Sequence, residues 1–242
     1  MKPVETLLLD FGPGNALSRT NLRRLLQRLR RLERSSEVRV IVLVSRQNAV
    51  FSSGLALREL TAHGRFAAAW SVVSAVWLVR RVVGRLLRSP KIIVSVLRGG
   101  VIGSAVSIAL ACDGIFADTS AWFWLPDPVY GGLLADGGLD LLCKRAGWST
   151  AQRMCLSSQR VGARQAMEMG LVHSVEEPEH LECAVQRHAE KLCRLSDHTL
   201  RETKRLLARG VLTHFPLLSL LRIVCSKEMR RRTRAALRLP PL

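Results

Sequence analysis

Short runs of branched apolar residues, separated by segments with helical periodicity, are the feature that most limits the folds open to this chain. Val38–Val44 and Ile92–Leu97 are apolar at nearly every position. Parallel strands that are buried on both faces have this composition. Before the first of these runs, Arg19–Arg34 carries leucines at spacings of three and four, which predicts a helix with one apolar face. Ser18 is its expected N-cap. The alternation of strands and helices predicts an α/β domain.

The remaining patterns divide the chain into two parts. Further elements are predicted at Arg65–Leu87 (a helix) and at Gly114–Ala117, Trp122–Trp124 and Leu171–Val175 (strands). Pro126–Gly138 is rich in proline and glycine and is predicted to be a loop. The sequence becomes mostly helical after this loop. We therefore predict a core over residues 1–176 and a C-terminal helical region with a basic tail over residues 177–242.

The charge of the chain indicates an anionic partner. There are 37 lysine and arginine residues against 19 acidic residues, which gives a net charge of +18. The hydrophobic fraction of 48% excludes a disordered chain, because such chains bury too little apolar surface. A strongly basic protein attracts polyanions. Nucleic acid, an anionic membrane face and a phosphate-rich ligand such as a nucleotide or coenzyme A all remain open.

Cysteine and hydropathy patterns exclude several classes of protein. The six cysteines have no CxxC spacing and no neighbouring histidine pattern, so we expect reduced thiols in an intracellular compartment and no metal site. The longest apolar run, Phe66–Val79, is shorter than the roughly 20 residues that a membrane-spanning helix needs. We therefore predict no transmembrane segment. No cleavable presequence is visible in the first residues.

Six segments occur in a recognisable order. They are NALS (Asn15–Ser18), VRVIVL (Val38–Leu43), VFSSGLAL (Val50–Leu57), Pro90–Asp113, Phe123–Gly147 and ARQAMEMGLVHSV (Ala163–Val175). In this order and spacing they resemble the enoyl-CoA hydratase/isomerase family, the crotonase superfamily. The resemblance extends from about Val4 to about Lys191. It implies a spiral of ββα units, followed by a C-terminal helical region of the kind that builds trimers or hexamers.

The resemblance implies a site for the thioester oxygen of an acyl-CoA. Members of the family use two backbone N–H groups to stabilise the enolate that forms there. These donors correspond to Leu55 and Ser104, and the coenzyme A contacts to Ser53, Leu55 and Leu57. Ser104 stands where the family usually has glycine, so strain is expected if that position has a positive φ. The alternative is that both donors are ordinary loop residues. No resident cofactor is implied, because coenzyme A would be part of the substrate or ligand.

The acid/base groups depart from the family pattern. Hydratases of this family use two glutamates, and the corresponding positions are Ser107 and Asp127. A serine cannot replace a carboxylate as an acid or base unaided. Asp136 lies in a segment similar to the loop of dienoyl-CoA isomerases and is a second catalytic candidate, or else a solvated loop aspartate. The resemblance therefore implies an acyl-CoA-binding protein with altered, weak or lost activity. Isomerase-type chemistry is favoured over hydration.

A second hypothesis follows from the arginine clusters. A non-catalytic protein built on this fold could associate with RNA or a ribonucleoprotein, for example the mitochondrial ribosome or its assembly. The candidate phosphate-binding residues are Arg23, Arg24, Arg28, Arg31, Arg230, Arg231, Arg232 and Arg234. A third hypothesis is a structural subunit paired with an active paralogue. We expect a homo-oligomer or such a hetero-oligomer. A mitochondrial location is favoured, with the cytoplasm as the alternative.

Overall fold

The computed structural model describes residues 3–56, 65–212 and 215–237. Within these ranges the strands are β1 (Val4–Leu9), β2 (Val40–Ser45), β3 (Val50–Ser52), β4 (Ile92–Leu97), β5 (Gly100–Ile102), β6 (Gly114–Asp118), β7 (Trp122–Trp124), β8 (Val161–Gly162) and β9 (Ser174–Glu176). The helices are α1 (Arg19–Arg34), α2 (Arg65–Arg88), α3 (Ser104–Leu110), α4 (Asp127–Tyr130), α5 (Gly138–Ser157), α6 (Ala163–Glu168), α7 (Leu181–Cys193), α8 (Asp197–Leu207), α9 (Leu217–Val224) and α10 (Lys227–Ala236).

The strands form two sheets, and the chain passes repeatedly from one sheet to the other. The first sheet has the order β1-β2-β4-β6-β9 and is parallel throughout. The second has the order β3-β5-β7-β8, with only β8 antiparallel to its neighbour. The pairs β2/β3, β4/β5 and β6/β7 each place one strand in each sheet, and a helix follows each pair. This arrangement is the predicted α/β spiral of ββα units.

The core lies between these sheets and the first helices. Ile41, Leu43 and Ile93 are fully buried, as expected for strands covered on both faces. The apolar stripe of α1 is buried as well, and α1 packs against α2 and β1. The side chain of Ser18 accepts a hydrogen bond from Asn21 N, so the predicted N-cap is confirmed.

Two predictions of local structure were wrong. The strand predicted at Leu171–Val175 begins only at Ser174, because Gly170 turns the chain with a φ of 77° and Leu171 enters the core. The predicted loop Pro126–Gly138 contains one helical turn, α4. That turn ends at Gly131, whose φ of 68° suits a residue without a side chain.

The described elements after β9 are all helices. Helix α7 covers the first sheet, where Leu181, Val185 and Ala189 pack among residues of β2, β4 and β6. Helix α9 packs against α2, and α10 packs against α4. The division of the chain at residues 176 and 177 stays a prediction. No helix in the described ranges is long and apolar enough to cross a membrane.

Candidate active site

Two loops bring the predicted backbone donors close together. Gly54 has a φ of 80°, and a Cβ atom added to it would lie 2.6 Å from Ile102 O and 3.6 Å from Ser104 N. The β3 loop therefore lies directly against the start of α3, at a distance that only glycine allows. Leu55 is held in this loop by a parallel bridge to Leu17. The N–H groups of Leu55 and Ser104 thus flank one small region.

Neither donor has a hydrogen-bond acceptor among the residues that the structure describes. The Ser104 N–H is one of the first N–H groups of a helix, which have no partner inside the helix. The strain that we expected at Ser104 is absent, because the positive φ of 55° falls on Gly103 and Ser104 is already helical.

Asp136 is buried beside the same helix. It is 1% exposed, so the interpretation as a solvated loop residue was wrong. Ser107 Oγ donates a hydrogen bond of 2.7 Å to Asp136 Oδ1. Ser107 follows Ser104 by three positions, which places both serines on one face of α3. The loop carboxylate therefore lies next to the position where the resemblance expects a glutamate on this helix.

Two glycines allow this loop to approach α3. Gly137 has a φ of 101°, and Gly138 begins α5. A Cβ atom added to Gly138 would lie 2.0 Å from Ser107 Oγ, which is far inside van der Waals contact. The N–H of Gly138 donates a hydrogen bond of 3.0 Å to Asp136 Oδ1. The start of α5 thus anchors the Asp136 carboxylate.

Asp127 is the second carboxyl group of the site, and the residue is half-buried. It begins α4 and follows β7. Its Oδ2 atom is buried and has no hydrogen-bond partner among the described residues, and the same holds for Asp136 Oδ2. Buried polar atoms are almost always paired in native proteins. The two unpaired carboxyl oxygens therefore make Asp127 and Asp136 candidates for contact with a ligand.

The charge of Asp136 influences the protonation of Asp127. Burial, and after it the nearby charge of Asp136, raise the pKa of Asp127 to about 7. Burial also raises the pKa of Asp136, while the hydroxyls of Ser104 and Ser107 and the N–H of Gly138 oppose that shift. These hydrogen bonds favour the ionised form of Asp136. A pair of this kind can carry a proton at neutral pH.

A family model described as enoyl-CoA hydratase/isomerase matches residues 8–215. The chain belongs to this family.

Individual relatives agree with this assignment. The putative enoyl-CoA hydratase/isomerase YngF of Bacillus subtilis is 28% identical over 179 residues, covering 74% of this chain and 66% of its own. The trans-2-decenoyl-[acyl-carrier-protein] isomerase of Streptococcus mutans is 32% identical over 167 residues, covering 69% and 63%. The matches thus span less than two thirds of the length of these relatives. Among solved structures, an enoyl-CoA hydratase from Bacillus halodurans has a TM-score of 0.89 at 21% identity and covers 97% of both chains. At that identity the likeness shows the fold, which is the crotonase fold.

The other predicted ligand contacts are partly described. Ser53 is exposed at the edge of the site, and its N–H donates to Gly14 O at 2.8 Å. Leu57 lies outside the described residues. No group of three or more histidine, cysteine, aspartate or glutamate side chains in the described ranges could hold a metal ion.

The predicted nucleic-acid residues lie on two helices. Arg23, Arg24, Arg28 and Arg31 are exposed on α1, and Arg231, Arg232 and Arg234 are exposed on α10. The side chain of Arg230 lies outside the described part of the chain. Helix α1 packs against α2 and β1, whereas α10 packs against α4 and α9. The two sets are thus carried by different parts of the fold.

Sequence reasoning missed the partnership between Ser107 and Asp136. Ser107 was interpreted only as a lost glutamate of this family. In the structure it hydrogen-bonds the carboxyl group that lies beside it. The sequence signal was present in two places, a serine three positions after Ser104 and an aspartate directly before a pair of glycines. Neither segment alone indicates that they meet.

Proposed function

We propose that this protein binds acyl-CoA thioesters and transfers protons on them, as a divergent family member with isomerase-type activity. The observation that carries the proposal is the grouping of the Leu55 and Ser104 N–H donors with the carboxyl groups of Asp127 and Asp136. Neither donor has a partner among the described residues, and each carboxyl group has one buried oxygen that is unpaired there. The donors suit the oxygen of an enolate. The carboxyl groups suit the carbon-bound protons beside it.

The proposed reaction moves a double bond by one position. Asp127, ionised, takes a proton from the carbon next to the thioester carbonyl of a 3-enoyl substrate. The electron pair spreads to the thioester oxygen, where the N–H groups of Leu55 and Ser104 stabilise the negative charge. Asp127 then returns the proton to the far end of the conjugated system, which gives the 2-enoyl thioester. A carboxyl pKa of about 7 suits both steps at neutral pH.

Asp136 acts on this step as a fixed charge. Its Oδ1 atom accepts hydrogen bonds from Ser107 and Gly138, so its orientation is set by α3 and α5. Its charge raises the pKa of Asp127. Hydration would require a second group that exchanges protons with water. The hydrogen bonds from Ser107 and Gly138 fix the orientation of Asp136 and favour its ionised form, so it is poorly suited to exchange protons with water. We therefore expect isomerisation to exceed hydration.

Binding and turnover assays test the proposal. Calorimetric titration with acetoacetyl-CoA, whose enolate resembles the intermediate, should give tighter binding than free coenzyme A, and the difference should persist at high salt. Isomerisation of 3-enoyl thioesters and hydration of 2-enoyl thioesters are then compared in the wild type and in Asp127→Asn. Selective binding without turnover would identify a pseudoenzyme and overturn the catalytic part. Equal, salt-sensitive binding of both compounds would overturn the whole proposal.

RNA or ribonucleoprotein association is a second candidate function. The observation that favours it is the exposed arginine row on α1, where the only acidic residue, Glu33, is buried and hydrogen-bonded to Arg85. Arginines present paired donors that fit phosphate groups. Crosslinking of the full chain to RNA should depend on Arg23 and Arg24 if this function is real. An unchanged crosslinking yield after their replacement by glutamine would exclude it.

Assembly and location remain part of the proposal. Trp70 and Trp77 on α2 are 70% and 47% exposed, and a subunit contact would cover such side chains. We expect a trimer, a hexamer or a complex with a paralogue, which light scattering after size exclusion would resolve. A mitochondrial location is favoured by the high positive charge. Imaging of the full chain fused to a fluorescent protein tests it.

A further inference from the structure

A groove between α1 and α2 is lined mainly by arginines. It has a volume of about 420 Å³, and its charged lining consists of Arg30, Arg80, Arg81, Arg85 and Arg88. This volume lies within the range of small-molecule sites, about 300–1,000 Å³. Five cations around one concave surface repel each other, and that repulsion is relieved when an anion enters.

The spacing along α2 explains how the groove forms. Trp77, Arg81, Arg85 and Arg88 follow one another at intervals of three and four, so they share one face of the helix. Gly84 interrupts this face without a side chain. A Cβ atom added there would lie 3.0 Å from Arg88 Nη1 and 3.3 Å from Leu212 Cδ1. The missing side chain leaves space between the guanidinium groups, and Arg30 of α1 closes the opposite wall.

The acidic residues near the groove neutralise little of its charge. Arg85 is paired with Glu33, and Arg80 is influenced by Asp136 and Asp140. Arg30, Arg81 and Arg88 form no ion pair with any acidic side chain in the described ranges. Arg81 instead lies over the ring of Trp77, 4.7 Å from its centroid. Three guanidinium groups are therefore available to an entering anion.

Arg80 shows an unfilled hydrogen-bonding position. Its Nη2 atom donates to Leu212 O at 2.6 Å, but its Nη1 atom is buried and has no partner among the described residues. An unpaired buried donor is uncommon. Leu212 itself has a φ of 62°, which is strained for a leucine. The groove thus contains a cationic donor without a described partner, Arg80 Nη1, next to a residue with a strained backbone, Leu212.

We propose that this groove is a binding site for an oligophosphate of two or three phosphate groups, separate from the thioester site. Guanidinium groups bind phosphate oxygens through paired hydrogen bonds, and several convergent arginines fit linked phosphates better than a single anion. Arg80 lies between the two sites, because a Cβ atom on Gly137, next to Asp136, would be 3.7 Å from Arg80 Nη1.

Calorimetry with inorganic triphosphate as the probe tests this site. The variant Arg81→Gln/Arg88→Gln removes two groove charges, and Arg153→Gln/Arg187→Gln removes two exposed charges of α5 and α7 outside the groove as a matched control. All four side chains are exposed, so both variants should fold. The wild type should bind one triphosphate per chain at about 0.15 M salt. The groove variant should bind at least tenfold more weakly, and the control less than twofold.

Further arms identify the source of the phosphates. ATP binding more tightly than triphosphate would indicate a nucleotide, and equal affinity would indicate free oligophosphate; both outcomes support the groove. Displacement of triphosphate by acetoacetyl-CoA at equal stoichiometry would show that the groove is the nucleotide part of the thioester site and would overturn the proposal. An equal loss of affinity in both double variants, or binding of several triphosphates per chain, would also overturn it. Failure of thioester binding alone would leave these results unaffected.

Discussion

Two regions of the molecule bury aspartates in opposite ways. Asp113, after α3, accepts hydrogen bonds from Lys204 Nζ at 2.6 Å and from Ile93 N at 2.8 Å, and both contacts use the same oxygen, Oδ2. Lys204 is itself buried and also donates to Lys91 O at 2.8 Å. Among the described residues, Asp127 and Asp136 form no ion pair, and each has one buried oxygen without a hydrogen-bond partner.

The difference separates structural from chemical use of a buried acid. Burial raises the pKa of Asp113, but the charge and hydrogen bond of Lys204 lower it again. Burial and like charge both raise the pKa of Asp127, and only its backbone opposes them. An acid with a cationic partner, such as Asp113, joins distant segments of the chain. Two acids without such a partner, such as Asp127 and Asp136, cost free energy of folding, and contact with a substrate can reduce that cost.

The largest expected effect is on catalysis at the unpaired pair. Asp127→Asn should lower the rate of isomerisation by about 10²–10⁴-fold, since it removes the proton carrier. The free energy of unfolding should stay the same or rise, because a poorly satisfied carboxyl group is lost. Steady-state kinetics and urea unfolding measure both quantities. Asp10→Asn, an exposed aspartate, is the control and should change neither. A rate within tenfold of the wild type would remove Asp127 from the mechanism.

The next effect concerns the paired region. Lys204→Met should lower the free energy of unfolding by about 2–4 kcal/mol, because it leaves the largely buried carboxyl group of Asp113 without its cation. Lys191→Met, at an exposed position of α7, should change it by less than about 0.5 kcal/mol. Urea unfolding at neutral pH compares the two. Equal small effects of the two substitutions would mean that the ion pair between Asp113 and Lys204 does not stabilise the fold.

A smaller effect is expected from the glycine that lets the two parts of the site meet. Gly138→Ala should cost about 1–3 kcal/mol and reduce turnover, since its Cβ would press on Ser107 Oγ. Removing that hydroxyl in Ser107→Ala/Gly138→Ala should recover part of the stability. Gly162→Ala, where nothing lies within 4 Å of the added Cβ, serves as the control. If both alanine variants were equally stable, the close approach of Gly138 to α3 would be refuted.

The smallest effect is a dependence of stability on pH. Asp127 has a pKa of about 7 in the folded protein and about 3.8 when unfolded, so the folded state binds more protons between these values. The free energy of unfolding therefore falls as pH rises from about 4 to about 7. The free energy of unfolding of Asp127→Asn should exceed that of the wild type by a larger margin at pH 8 than at pH 5. The two margins should differ by roughly 1 kcal/mol or more. Thermal unfolding at both values measures it, and a constant difference would contradict the raised pKa.

Most of the fold could be predicted from local patterns. Strand β4 has the predicted ends, and the bounds of α1 agree because its leucine spacing and its N-cap lie within one segment. The family segments supplied the order of the spiral. The turn after Gly170 and the helical turn at Asp127 were missed, because tertiary packing decides them rather than composition.

The candidate site was predictable only in part. Leu55 and Ser104 follow glycines in recognisable segments, so their backbone donors could be located from the sequence. The hydrogen bond between Ser107 and Asp136 joins residues 29 positions apart, and the bond between Asp113 and Lys204 joins residues 91 apart. No local pattern encodes such pairings. Whether a buried aspartate meets a serine or a lysine therefore becomes visible only in the folded chain.

The protonation of Asp127 is the most direct test of this account. Carbon-13 NMR of protein labelled at the aspartate carboxyl groups follows each titration in the absence of substrate. One carboxyl group should titrate near pH 7 in the wild type, and this titration should be missing from Asp127→Asn. If every aspartate of the wild type titrated below about pH 5, Asp127 and Asp136 would both be ordinary ionised carboxylates at neutral pH. That result would contradict the proposed proton transfer.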